Sequence, residues 1–276
     1  MADRYVAKSV TDLSTVGIAS TDKVYFFEGD QQITAGLDQS ALAAGVNDLG
    51  FSPAFTGRVG GGSYGPLKIE VSQAASIVRL ENGGGAVYLE AQGAGSNVIL
   101  RVKQIGQAIL YAQGSGTITN LEQASSQTFI NDTCLVTNIW LGGGSMNQLY
   151  NATGNTDVFV MGGTFSSGRK ITGRLEVGGG VVTIKREDTS ATVPVGTGAV
   201  FKVYGGRLNW WGGSIGDLYV GGTGIVDFSN IPIDITITNL YITDEAVRRS
   251  RFRGAQKTVT ITNTYRRYGD SDTLVA

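Results

Sequence analysis

Apolar positions along this chain keep two rhythms at once. The shorter is that of a strand: in ITITNLY (Ile235 to Tyr241) and VTITNTY (Val259 to Tyr265), Thr236 and Thr260 fall on one face of an extended segment and Ile237 and Ile261 on the other. The longer rhythm carries apolar clusters forward by roughly twenty residues at a time. Val87, Ile109, Phe129 and Leu149 make one such series and Val98, Ile118, Ile139 and Phe159 a second, interleaved with the first from Pro66 onward. Side-chain identity repeats too. LEAQGAGS (Leu89 to Ser96) and LYAQGSGT (Leu110 to Thr117) share leucine, alanine, glutamine and both glycines.

A short repeat that cannot bury its own apolar face must stack on the next copy. The pattern therefore predicts an all-β fold, a parallel β-helix solenoid with strands about 4.8 Å apart, Gln92 lying under Gln113 and Gly93 under Gly114. Right-handed coiling is the default for parallel crossovers. A β-sandwich or jelly roll accounts equally well for many short strands, but not for the fixed offset at which AQGxG returns. Residues 1–58 lack the long rhythm and read as a capping or attachment segment, with a strand at Lys23 to Glu28 and a short capped helix from Asp38 to Gly45. Residues 59–276 read as the solenoid. Within it, TDEAVRRSRFRGAQK (residues 243–257) is longer and more charged than any other turn, and reads as a basic insertion projecting from the last rung.

Composition sharpens this picture. Glycine, at 41 residues, is about twice as frequent as usual. Its runs, such as Gly142-Gly143-Gly144 and Gly178-Gly179-Gly180, suit rung corners where the backbone turns left-handed. The formal charge of −1 provides no global field for nucleic acid or anionic membrane, and no run approaches a membrane span. Histidine is absent, which removes the commonest general base, the Ser-His-Asp and Cys-His arrangements and the usual zinc sites. Cys134, alone, excludes an intramolecular disulfide and reads as a small buried thiol. The start, MADRYVAKSV, has no apolar signal core, so assembly in a cytoplasm is expected. No cofactor or metal is expected. VGGGSYG and GTGAVFK lack the ending of a phosphate loop, and Glu187-Asp188 and Asp244-Glu245 have no further ligands nearby.

Three groups of residues could carry function. Arg248, Arg249, Arg251, Arg253 and Lys257 could dock on an acidic protein surface through arginine's planar fork, or could simply form a solvated face that blocks edge pairing. Tyr204, Trp210, Trp211 and Tyr219 are possible glycan contacts, although adjacent strand residues point oppositely, so at most one tryptophan faces solvent. Glu70 and Glu90, about one rung apart with Arg79 and Arg101 nearby, could stack as paired acids, but a solvated lateral ladder is the simpler account and no catalytic residue is assigned.

In texture, the chain resembles β-helical virion structural proteins of tailed bacteriophages. The likeness rests on GDQQITAGLDQSALAAG (Gly29 to Gly45), FTGRVGGG (Phe55 to Gly62) and the AQGxG rungs, together with the absence of histidine and disulfide. The resemblance implies a non-enzymatic virion component, a capsid decoration or cement protein or a fibre module, commonly trimeric. Its partners would be the major capsid protein or a neighbouring head or tail protein. A polysaccharide-binding adhesin is the alternative, and a lyase or hydrolase a more distant one.

Overall fold

The computed structural model describes residues 109–149, 154–185 and 199–266 in full and, outside these, the backbone of the strands alone. The protein is almost entirely β, a parallel β-solenoid of about six turns across the residues described in full. Its residues group into two units, one comprising Met1–Asn138 with Gly144–Met146, the other Ile139–Gly143 with Asn147–Ala276.

The first unit contains β1 (Asp3–Val6), β2 (Lys23–Phe26), β3 (Asp48–Phe51), β4 (Leu67–Val71), β5 (Ser76–Asn82), β6 (Ala86–Ala91), β7 (Ile99–Gly106), β8 (Ile109–Gln113), β9 (Thr117–Gln123) and β10 (Gln127–Ile130). One sheet runs in the order β1-β2-β3-β5-β7-β9 and the other in the order β10-β8-β6-β4. Pairing between neighbours is parallel, as in β5 with β7 and β6 with β8. Parallel pairing with the strands dealt alternately to two sheets is what coiling produces; a sandwich would pair its strands antiparallel. Strands β1, β2 and β3 lie in the segment read as a cap, yet they continue the first sheet, with Val24 opposite Leu49 and Leu49 opposite Val78. The short helix expected from Asp38 to Gly45 lies outside the described residues.

The register between β6 and β8 departs from the one the repeat suggests. Leu110 lies opposite Val87, and Gln113 opposite Glu90, so identical residues of the two AQGxG segments are offset by one pleat. An offset of two residues returns every side chain to its own face, so both registers bury the same alternate positions and the motif alone does not choose between them. Gln92 and Gly93 themselves lie outside the described residues.

Strands β11 (Leu135–Leu141) and β12 (Ser145–Gln148) contribute residues to both units. The second unit continues with β13 (Asn155–Val160), β14 (Thr164–Ser167), β15 (Ile171–Val177), β16 (Val181–Ile184), β17 (Val200–Val203), β18 (Arg207–Trp210), β19 (Ile215–Val220), β20 (Ile225–Asp227), β21 (Ile235–Thr243), helix α1 (Asp244–Arg249), β22 (Val259–Arg267) and β23 (Leu274–Val275). Its sheets are ordered β13-β15-β17-β19-β21-β22-β23 and β20-β18-β16-β14. Most inward positions are aliphatic or aromatic and sealed. Val158, Leu175, Phe201, Leu218 and Leu240 form one inward column, Phe165, Val182, Leu208 and Val226 another. Each such side chain stabilises the coil by about 1.5–3 kcal/mol relative to exposure, and its neighbours above and below are its own equivalents. The echo between ITITNLY and VTITNTY is realised directly: Thr236 pairs with Thr260, Ile237 with Ile261 and Tyr241 with Tyr265.

The basic insertion does not project. Thr243 caps α1, its side-chain oxygen accepting from the Ala246 N–H, and Ala246 is buried. The chain then folds along the edge of β20. The Arg251 N–H donates to the Val226 carbonyl (2.8 Å), the Phe228 N–H to the Arg251 carbonyl (2.9 Å) and the Ala255 N–H to the Ser229 carbonyl (3.0 Å). Phe252 packs against Phe228, ring centroids 5.7 Å apart. An open parallel edge leaves unpaired backbone groups, and this segment satisfies them. It is a cap over the second sheet, not an arm.

Glycine is required where the coil turns from one sheet to the next. Gly180 has φ +73, and a β-carbon there would collide with the Gly163 carbonyl oxygen of the rung below. That oxygen also accepts the Val181 N–H at 2.8 Å, so it cannot give way. Gly180→Ala is expected to destabilise the fold by more than about 2 kcal/mol, whereas Gly221→Ala, where the nearest atoms would be 3.7 Å away and φ is not positive, should change it by less than about 0.5 kcal/mol. Chemical denaturation of the two variants checks the contrast.

Candidate interaction surfaces

Because strands of one sheet stack in register, outward side chains of the second unit line up in columns perpendicular to the strands. One column follows Trp140 and Phe159 and continues through Glu176, Lys202, Tyr219, Tyr241 and Tyr265. A second, one pleat away, follows Asp157, Arg174, Val200, Asp217, Asn239 and Asn263. In the second, Asn239 Nδ2 donates to Asp217 Oδ1 (2.7 Å) and Asn263 Nδ2 to Asn239 Oδ1 (2.9 Å). An amide both donates and accepts, so it can link a rung below to a rung above.

The aromatic column is stacked face to face. Tyr219 and Tyr241 have ring centroids 4.3 Å apart and planes within 4°, and Tyr241 and Tyr265 are 4.8 Å apart within 13°. The far face of Tyr219 is covered by Lys202 Nζ, 6.0 Å from the ring centroid. Trp140 and Phe159 stack at 5.6 Å, with the Arg174 guanidinium over Phe159 at 5.5 Å. Both faces of Phe159, Tyr219 and Tyr241 thus meet other rings or cations. Partial desolvation, together with the nearness of Tyr219 and Asp217, pushes the Tyr241 phenol above its ordinary range.

The second surface is the cationic cap. Arg248, Arg249, Arg251, Arg253 and Lys257 are all exposed, as is Arg266 on β22. Arg249 pairs with Glu245 one helical turn back, an arrangement that also suits the ends of α1. Arg248, Arg251, Arg253 and Lys257 have no ion-pair partner among the described residues.

The four aromatic residues singled out from the sequence do not form one platform. Trp210 is fully buried; its Nε1 donates to the Gly213 carbonyl (2.8 Å) and its ring packs edge-on against Phe201. It is core, because β18 alternates and position 210 faces inward. Trp211 is half-buried with Lys185 Nζ over its ring at 5.4 Å. Tyr219 presents no free face to a sugar. Tyr204 alone is widely exposed, at 46%. Glu70 and Glu90 are register partners in β4 and β6, while Arg79 and Arg101 lie in strands of the other sheet, in register with Lys103 and Asn120. Cys134 is buried, as expected.

Sequence reasoning missed the Asn239–Asn263 rail, although the shared asparagine of the two TITN segments announced it. It also missed a buried polar cluster. Asn155 and Gln148 exchange hydrogen bonds through their amides (2.7 and 3.0 Å), Ser167 Oγ donates to Gln148 Oε1 (2.9 Å), and the buried Arg169 donates through Nε to the Leu149 carbonyl (2.9 Å). Nothing in the spacing of these residues shows that they meet. Among the described residues there is no group of three or more His, Cys, Asp or Glu that could hold a metal ion. Comparison with known protein families, with curated proteins and with solved structures finds no match.

Beneath the cap, Asp227 is buried and paired with Arg207, and its Oδ1 accepts the Ser229 N–H at 2.9 Å. Burial alone would raise its carboxyl, but hydrogen bonds from Ser229 and Arg207 and the Arg207 charge together outweigh this and hold it below the usual carboxylate range. The folded state therefore binds this proton less readily than the unfolded chain. The stability it contributes is fully present above the unfolded value near pH 4 and is lost as pH falls through the lower folded value. Asp227→Asn is expected to cost about 1–3 kcal/mol at neutral pH and to flatten the fall in stability below pH 4, as measured by denaturation across pH.

Proposed function

We propose that this chain is a non-enzymatic structural protein that acts by docking, its cationic cap set against an acidic face of a neighbouring protein in an assembled particle. The observation that carries this reading is the manner of presentation. Arg248, Arg251, Arg253 and Lys257 are exposed without acidic partners among the described residues, on a segment whose backbone is already bonded to β20. Docking through such a segment orders few further groups, so little of the interaction energy goes into conformational entropy. Guanidinium forks favour bidentate contact with carboxylates. Elsewhere on the second unit, two acids are engaged in support: Asp217 accepts from Asn239, and Asp227 pairs with Arg207 and accepts the Ser229 N–H. The setting is that of a phage virion component, the type the sequence resembles, with the major capsid protein or another head or tail protein as partner.

The test is binding of the full chain to poly-L-glutamate and, separately, to duplex DNA, compared with the triple variant Arg248→Glu, Arg251→Glu, Arg253→Glu. Expected are salt-sensitive binding to poly-L-glutamate, a loss on the order of tenfold or more in the variant and an unchanged melting temperature. Equal binding by the variant, or preference for DNA over poly-L-glutamate, would overturn the docking assignment.

A further inference from the structure

The outward face of the first sheet in the second unit carries an arrangement that its own fold leaves unused. Read along the sheet, the aromatic column is Trp140, Phe159, Glu176, Lys202, Tyr219, Tyr241: two rings, an acid, a base, two rings. Glu176 and Lys202 are register neighbours but form no ion pair. Lys202 reaches instead toward the Tyr219 ring, and Arg174 toward Phe159. The Glu176 carboxylate is left without a cationic partner among the described residues.

We infer that this face is a self-complementary docking surface for a second copy of the same chain, related by a two-fold axis passing between the Glu176 and Lys202 rungs. A two-fold axis along the strand direction reverses the order of rungs while keeping each column opposite itself. Glu176 then faces Lys202 of the second copy, and Lys202 faces its Glu176. Phe159 faces Tyr219 of the second copy and Trp140 faces its Tyr241, ring edge to ring edge. An arrangement that reads acid-base in one direction meets base-acid when reversed, so both charges are matched in each copy.

A column at the adjoining corner obeys the same symmetry. It runs Gly142, Met161, Gly178, Tyr204, Gly221, and Met161 (52% exposed) and Tyr204 (46% exposed) are the two most exposed large apolar side chains described. Within each copy the Met161 sulfur lies over Gly178 and the Tyr204 ring against Gly221, so rung for rung the reversed copy brings Tyr204 against Met161 and Met161 against Tyr204. Exposed apolar groups in this number mark an interaction surface, and Trp, Tyr, Met and Arg are the types enriched there. One contact, made twice by the symmetry, opposes the fit: Asp157 meets Asp217 of the second copy, with Arg174 beside Asp157 supplying positive charge.

From Trp140 to Tyr241 the strip covers five rung steps, about 24 Å, by three outward positions, about 14 Å. That is small beside the roughly 800 Å² per partner of a stable complex, so association is expected to rise with concentration. The two-fold pair differs from the trimer that the phage resemblance implies, and molecular mass separates them.

The experiment is sedimentation velocity of the full chain over a concentration series, with Glu176→Lys, Lys202→Glu and the double exchange. Expected is a reversible dimer in the native chain, a loss of dimer of at least tenfold in each single variant, and recovery in the double variant, with melting temperatures unchanged throughout. Met161→Asp, away from the charges, should also weaken the dimer. A native chain that stays monomeric or forms trimers, single variants that dimerise as well as the native chain, or a double variant no better than the singles, each overturns the proposal.

Discussion

Parallel stacking at one strand spacing per rung governs the molecule, because it makes the neighbours of each side chain its own counterparts in the preceding and following turns. A residue in such a coil is selected for what it does against a copy of its position. Inside, this favours aliphatic columns such as Val158, Leu175, Phe201, Leu218 and Leu240, which exclude water by resting on one another. At the corners it favours glycine, because Gly180 sits so close above the Gly163 carbonyl that no β-carbon fits between them. The core and the turns thus answer to a single distance.

Outside, the same distance decides which polar groups are tolerated. Identical charges one rung apart repel, while identical planar groups attract, and the described outer face sorts itself accordingly. Tyr219, Tyr241 and Tyr265 follow one another in one column and Asn239 and Asn263 in the other, the rings stacked and the amides bonded in series. Charges alternate in sign, Asp157 beside Arg174 and Glu176 beside Lys202. A face built this way is flat, ordered and patterned, and it offers ring edges and unpaired charge to whatever lies against it. The cap supplies a second ordered surface at the edge of β20, of a single sign. Support and presentation are performed by the same columns, which is why no cleft is needed.

How much of this was legible depends on how many residues share one signal. ITITNLY and VTITNTY agree at five of seven positions, and their pairing is as the strings suggest. LEAQGAGS and LYAQGSGT agree almost as well, yet Leu110 lies beside Val87, because a shift of one pleat costs no burial and the string contains nothing to forbid it. Phe129 and Leu149, members of one recurring apolar series, are 37% and 44% exposed. Apolar character shows that a position is used for packing, and Phe129 packs outward, on Tyr111. The basic segment announced its charge but not its path; only the free edge of β20 explains why it lies down.

The sequence by itself determined the coil, the corners and the chemical kind of each column, since these follow from local period and from residues that repeat at a fixed interval. Tertiary structure decided which residues meet: that Trp210 faces inward, that Tyr219 loses its face to Tyr241, that Gln148 and Asn155 find each other, and that the arginines are held on a cap. The physical reason is that stacking energy depends on register. Register is settled by the sum of many weak contacts along the whole sheet, a quantity that no single stretch of sequence contains.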